Sequence, residues 1–232
     1  MVPLRDENPT RSKPYVVYGL LILNILIFLV EIRLSPDQLE QFFDTWALVP
    51  AQLSDSFSGQ IDQPGREWFT LISSQFLHGG FLHLGGNMLY LWVFGNNIED
   101  QLGPVRFTVF YLGCGILAGL SQWIFAPAST VPTVGASGAI AGVMGAYILR
   151  FPKARIQTLL PLFIFITVVR VPAILFLGFW FVQQALYGLL SLGTDVNMGS
   201  GGVAYWAHAG GFVFGIILGP LLGLLKPRQD SF

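Results

Sequence analysis

Gly135-Ala136-Ser137-Gly138-Ala139-Ile140-Ala141-Gly142 is a run of tiny residues with one hydroxyl, set among long apolar segments. Gly138 and Gly142 stand four apart, so they leave a bare strip along one side of a helix, and Gly145 continues it. Strips of this kind let membrane helices approach closely. The apolar stretch from Ser137 to Phe151 is about 15 residues, or roughly 22 Å at 1.5 Å per residue. A hydrocarbon core of about 30 Å needs more than that. Ser137 is therefore expected partway into a bilayer, at the head of a short helix. The chain from Ala126 to Ala136 must dip to reach it, and irregular backbone at that depth is tolerated only against protein or a water-filled cavity.

Composition agrees with a membrane setting. Of 232 residues, 53% are hydrophobic and 11% charged, with a mean hydropathy of +0.62; soluble domains carry about 25% charged residues. The formal net charge is −1, and no basic cluster points to nucleic acid. The single cysteine, Cys114, lies in an apolar run and reads as packing. Met1 to Lys13 is polar and contains proline, so the first apolar segment is expected to stay as an anchor rather than be cleaved.

Working outward, Tyr15 to Ile32 is a full span with Asn24 as its interior polar residue. Arg33 to Glu67 is too broken to cross, and the spacing of Leu39, Phe42, Phe43 and Trp46 predicts a short amphipathic helix in the interface. A second span is expected from Phe81 to Phe94, closed by Gly95-Asn96-Asn97. A third runs from Phe107 to Phe125, after Gly103-Pro104. Ser137 opens the fourth. Ile156 to Val169, short and rich in β-branched residues, reads as interfacial or extended. Pro172 to Leu192 and Val203 to Leu225 complete six spans. The expected architecture is an all-α polytopic membrane protein, a six-helix bundle with a long interfacial first loop and no repeat. Residues 1–14 and 226–232 read as tails, and 15–225 as the membrane domain.

Positive charge orients the chain. With the N-terminus inside, the inner side holds Arg5, Arg11, Lys13, Arg106, Arg150, Lys153, Arg155, Lys226 and Arg228, joined by Arg170. The outer side holds only Arg33 and Arg66. Both termini are thus expected in the cytoplasm of a cell, the protein lying in its membrane. Helices two, four and six then all begin at the outer face, which brings His83, Ser137 and His208 to one depth. Polar groups inside a membrane are costly and face a cavity or a partner.

On helix six, Gly211, Gly215 and Gly219 repeat every four residues below His208. If this face meets the strip of Gly138 and Gly142, Ser137 and His208 come within the reach a base-activated hydroxyl requires. Generic helix packing accounts for the glycines but not for a Ser or His at the outer end of each face. His83 and Asn87 share a face at i and i+4; they can satisfy each other, or serve as donors to an oxyanion. No carboxylate occurs between Asp100 and Asp195, so a Ser–His dyad fits better than a triad. Gly193 to Gly202 reads as a lid over the site or as a plain connector.

These residues resemble the rhomboid family of intramembrane serine proteases. His83-Leu84-Gly85-Gly86-Asn87 matches the family's HxxxN and Gly135-Ala136-Ser137-Gly138 its GxSG. Ala207-His208-Ala209-Gly210-Gly211 with Gly215 matches its AHxGGxxxG. The resemblance covers nearly the whole chain in the prokaryotic six-helix form, including Pro3-Leu4-Arg5-Asp6 with Asn8-Pro9. It implies Ser137 as nucleophile, His208 as general base, and His83 and Asn87 as oxyanion donors. It also implies cleavage of transmembrane segments near the outer face, with no metal or other cofactor and a prokaryotic inner membrane as the location. Substrate would approach beside helix five, where Phe176, Phe179, Trp180 and Phe181 make a bulky wall. Two departures stand out. Ala141 occupies the position where some members stack a Tyr on the base, which leaves Tyr205 or Trp206 as its expected support. The Trp-Arg pair of some members' first loop has no evident equivalent in Arg66-Glu67-Trp68.

Two other functions are compatible with six helices. A non-catalytic rhomboid-like chaperone or adaptor would bind helices without cutting them, though such relatives typically lack the serine or histidine. A small-molecule transporter is disfavoured by the absence of a repeat and of an intramembrane carboxylate for ion coupling.

Overall fold

A computed structural model describes residues 1–59, 64–162, 165–192 and 203–226, with the side chains of 161, 162, 165 and 166 left aside. The chain is mostly helical: α1 (Tyr15–Glu31), α2 (Pro36–Trp46), α3 (Pro50–Ser58), α4 (Pro64–Ser73), α5 (Phe81–Tyr90), α6 (Asn96–Leu102), α7 (Pro104–Phe125), α8 (Ser137–Arg150), α9 (Ala173–Ser191) and α10 (Tyr205–Leu221). Among the described residues, α7 and α9 are long and apolar enough to cross a membrane by length and composition, and α1 and α10 are shorter apolar helices.

The all-α expectation fails at one end of the bundle. Strands β1 (Val2–Asp6), β2 (Arg155–Leu162) and β3 (Phe165–Pro172) form an antiparallel sheet in the order β1-β2-β3. The extended alternative for Ile156–Val169 is what forms, because β-branched residues fit a pleated surface. The hairpin leaves an edge, and residues 2–6, within the expected tail, pair along it with Val2 opposite Leu159 and Asp6 opposite Ile156. The sheet is tied to α8, because the Tyr147 hydroxyl donates to the Asp6 carboxylate at 2.6 Å. Burial raises the Asp6 carboxyl above its ordinary pKa, and the Tyr147 hydrogen bond works against that rise.

Two helix ends differ from expectation, each for a local reason. Gly95-Asn96-Asn97 does not stop the second span. Gly95 keeps helical angles, and the chain passes through a π-helical turn at Leu91–Gly95 into α6. A Cβ on Gly95 would lie 3.0 Å from a Val17 methyl, so the glycine serves contact with α1 rather than a break. The reward is at Glu99, whose carboxylate accepts from the Val16 and Val17 backbone N–H groups at 2.9 and 2.8 Å. Those are orphan donors at the head of α1. The last helix ends at Leu221 rather than Leu225: Gly223 adopts φ 101°, and the Leu224 N–H returns to the Gly219 carbonyl at 2.9 Å, a Schellman-type stop.

The segment from Arg33 to Glu67 folds as α2, α3 and the start of α4. A capping box opens α2, with the Ser35 hydroxyl accepting from Gln38 N–H and the Gln38 side chain accepting from Ser35 N–H. Leu39, Phe42 and Phe43 are half-buried along it. This region buttresses the approach to Ser137. Leu48 and Thr133 exchange backbone hydrogen bonds at 3.2 and 2.8 Å, and Ala51 N–H donates to Ser129.

The core is a seam of α8 against α10, lined on a third side by α7. A Cβ on Gly211 would overlap the Gly138 carbonyl, one on Gly215 would overlap Gly142, and one on Gly145 would overlap the Phe212 carbonyl. Only glycine permits that approach. Cys114, fully buried, fills the space over Gly142 from α7.

Candidate active site

Gly135 takes φ 122°, a backbone conformation that favours glycine, and its N–H donates to the Ser74 carbonyl at 2.9 Å. The turn ends there, and Ser137 becomes the first residue of α8. Its backbone N–H therefore has no acceptor within the helix. The α8/α10 seam carries His208 to the same level, and His208 Nε2 lies 2.7 Å from Ser137 Oγ. The other ring nitrogen, Nδ1, lies 2.8 Å from Gln184 Oε1 on α9.

His83 and Asn87 face the same place from α5. A side chain on Gly135 would put its Cβ 2.7 Å from His83 Nε2 and 3.4 Å from Asn87 Nδ2, so the two nitrogens converge above Gly135, two residues before the serine. The Asn87 amide nitrogen is buried without a protein partner. His83 Nδ1 accepts from Gly79 N–H at 3.4 Å, which leaves Nε2 to carry the proton, a tautomer assigned from the network rather than seen. Behind it, His78 packs edge-on at 5.2 Å and is held by its own N–H, which donates to the Glu31 carboxylate at 3.2 and 3.3 Å. These groups line a cavity of about 930 Å³, which also reaches Thr130 to Gly135, Trp180 and Val203. Among the described residues no group of three or more His, Cys, Asp or Glu could hold a metal ion.

Thus Ser137, His208, His83 and Asn87 share one cavity, and Gly138, Gly142, Gly211 and Gly215 lie in the seam that carries the first two. The expected support for the base is elsewhere. Tyr205 packs on Tyr187 at 5.3 Å and Trp206 stacks on Phe125 at 3.8 Å; the ring beside His208 is Trp180, at 5.7 Å. Nor do the α9 aromatics form one wall: Phe176 packs inward on Phe94, Phe181 stacks on Phe212, and Phe179 is exposed. Gln184 escaped the sequence reading, which sought a partner for the base among carboxylates. The available signal was an amide pair, Gln183-Gln184, inside an apolar helix. The suggested lid, Gly193 to Gly202, lies outside the described residues.

A family model described as the Rhomboid domain matches residues 65–224. The chain belongs to the rhomboid family. It is 36% identical over 164 residues to the mitochondrial rhomboid protein 1 of Saccharomyces cerevisiae, covering 69% of this chain and 43% of that one. It is 30% identical over 225 residues to the rhomboid protease GluP of Bacillus subtilis, covering 95% of this chain and 37% of GluP. The mitochondrial presenilin-associated rhomboid-like protein of Homo sapiens is 29% identical over 150 residues, 63% of this chain and 36% of that one. The chain therefore spans less than half the length of these curated relatives. Rhomboid proteins are integral to membranes, which accounts for the apolar exposure of α1, α9 and α10.

Proposed function

We propose that this rhomboid protein is an intramembrane serine endopeptidase that cuts transmembrane segments with a Ser137–His208 dyad. The observation that carries the reading is the 2.7 Å approach of His208 Nε2 to Ser137 Oγ, beside two donor nitrogens in one cavity. Ser137 Oγ attacks the scissile carbonyl as His208 Nε2 takes its proton. The carbonyl oxygen becomes an oxyanion held by His83 Nε2–H, Asn87 Nδ2–H and the Ser137 backbone N–H. His208 then returns the proton to the leaving amine, giving an acyl-enzyme. Water entering the cavity attacks it, His208 again serving as base, and the serine is released.

In this reading α1, the continuous α5–α6, α7, α8, α9 and α10 are six membrane helices. Residues 15–225 form the membrane domain, and both termini face the cytoplasm, in a prokaryotic inner membrane. The sheet supports that orientation, since Arg5, Arg155 and Arg170 all lie on it while Arg33 and Arg66 fall beyond the other end of α1. Partners are the bilayer and membrane proteins with a transmembrane segment.

Purified protein reconstituted with a transmembrane substrate tests the proposal. Ser137→Ala and His208→Ala should each abolish cleavage while the protein stays folded, and a serine-directed fluorophosphonate should label Ser137. Undiminished cleavage by Ser137→Ala would leave the chain as a helix-binding adaptor. Asn87→Ala removes one oxyanion donor and should lower kcat by about 10²-fold or more.

A further inference from the structure

A neutral imidazole accepts a proton at one nitrogen only while it carries a proton at the other. For His208 Nε2 to accept from Ser137, Nδ1 must be protonated, and in a cavity this enclosed that N–H needs an acceptor. The described residues lining the cavity include no Asp, Glu, Lys or Arg; its ionisable side chains beside His208 are His83 and Tyr90. The acceptor present is an amide. Gln184 is 8% exposed, and its Oε1 stands 2.8 Å from His208 Nδ1. Burying an amide in an apolar helix costs free energy unless it is hydrogen-bonded, so the contact accounts for a residue otherwise out of place. Trp180 lies four residues earlier on the same face of α9, with its ring 5.7 Å from the imidazole. One helix thus holds the ring by its face and by its edge, while Ala141 on α8 offers no side chain to do so.

Building on the protease reading above, we propose that Gln184 is the positioning residue of the base, a neutral acceptor that fixes the Nδ1–H tautomer and the aim of His208 Nε2. The amide has one productive orientation. Turned over, its NH₂ would donate to Nδ1, place the ring proton on Nε2 and leave Ser137 without a base. A carboxylate at this place would hold the same tautomer and also favour the imidazolium; the amide holds the tautomer alone.

The test uses full-length reconstituted protein and a transmembrane substrate. Gln184→Met keeps the bulk and removes the acceptor. Its kcat should fall by about 10- to 10²-fold, less than the 10²–10⁴ of a whole general base, with KM within about twofold, as for an interaction made only in the transition state. Gln184→Glu should recover most of that loss, and the acid limb of its pH–rate profile should move to higher pH, because the base must be unprotonated. Thermal unfolding of both variants should stay near wild type. Wild-type kcat in Gln184→Met overturns the proposal. So does equal impairment of both variants with an unmoved pH profile, which marks a packing role. If wild type neither cleaves nor takes the fluorophosphonate at Ser137, the protease reading fails and this one with it. Labelling of wild type together with a silent Gln184→Met defeats only the positioning role.

Discussion

Along its seam with α8, α10 packs backbone against backbone, its glycines set into the carbonyls of Gly138 and Gly142. Along α9 it packs ring against ring, Phe181 on Phe212 at 4.7 Å and Trp180 on Phe212 at 6.2 Å. The first contact has no slack, since a carbonyl oxygen cannot yield to a methyl group. The second rests on side chains that can rotate, and Gly178 on α9 meets nothing within 4 Å. The site draws on both. Ser137 and His208 are fixed to each other by the rigid seam, whereas the group that aims the base hangs on the adaptable one. Distance between nucleophile and base is thereby set by the backbone, and orientation of the base by side chains.

Substitutions can break this contrast in graded steps. Gly215→Val forces two backbones apart and should cost about 3 kcal/mol or more, read as a large fall in thermal unfolding temperature and loss of activity. Gly211→Ala adds a single methyl against the Gly138 carbonyl and should cost about 1–3 kcal/mol. Because it lies one turn from His208, its kcat should fall even at temperatures where it remains folded. Tyr147→Phe removes the hydrogen bond to Asp6 at the far end of α8 and should cost about 1 kcal/mol, with cleavage retained. Gly178→Ala, on the loose side, should stay within about 0.5 kcal/mol of wild type. If Gly178→Ala destabilised as much as Gly211→Ala, the difference between the two seams would vanish.

Much of this arrangement was legible in residue patterns. The glycine strips of α8 and α10 pointed to a close seam, and the abrupt start at Ser137 followed from Gly135 and the short apolar run behind it. What escaped was set by partners distant in sequence. Residues 2–6 are too few and too polar to announce a strand, and they become one because the β2–β3 hairpin offers an edge. Gly95 reads as a stop but answers to Val17, 78 positions earlier by number. Gln184 carries no local signature, since its meaning comes from an imidazole on another helix. Tyr205 and Trp206 were sensible supports by proximity along α10, yet both rings point to other neighbours.

The π-helical turn at Leu91–Gly95 sits between two sets of polar residues. Before it, His83 and Asn87 look into the cavity; after it, Glu99 receives the first N–H groups of α1. One residue of an α-helix turns about 100°, so a single deletion within the turn would swing one set away while the other stayed in place. Length in this segment is therefore under tighter restraint than composition. Its side chains can be exchanged with modest consequence, but the number of residues between Asn87 and Glu99 cannot change by one.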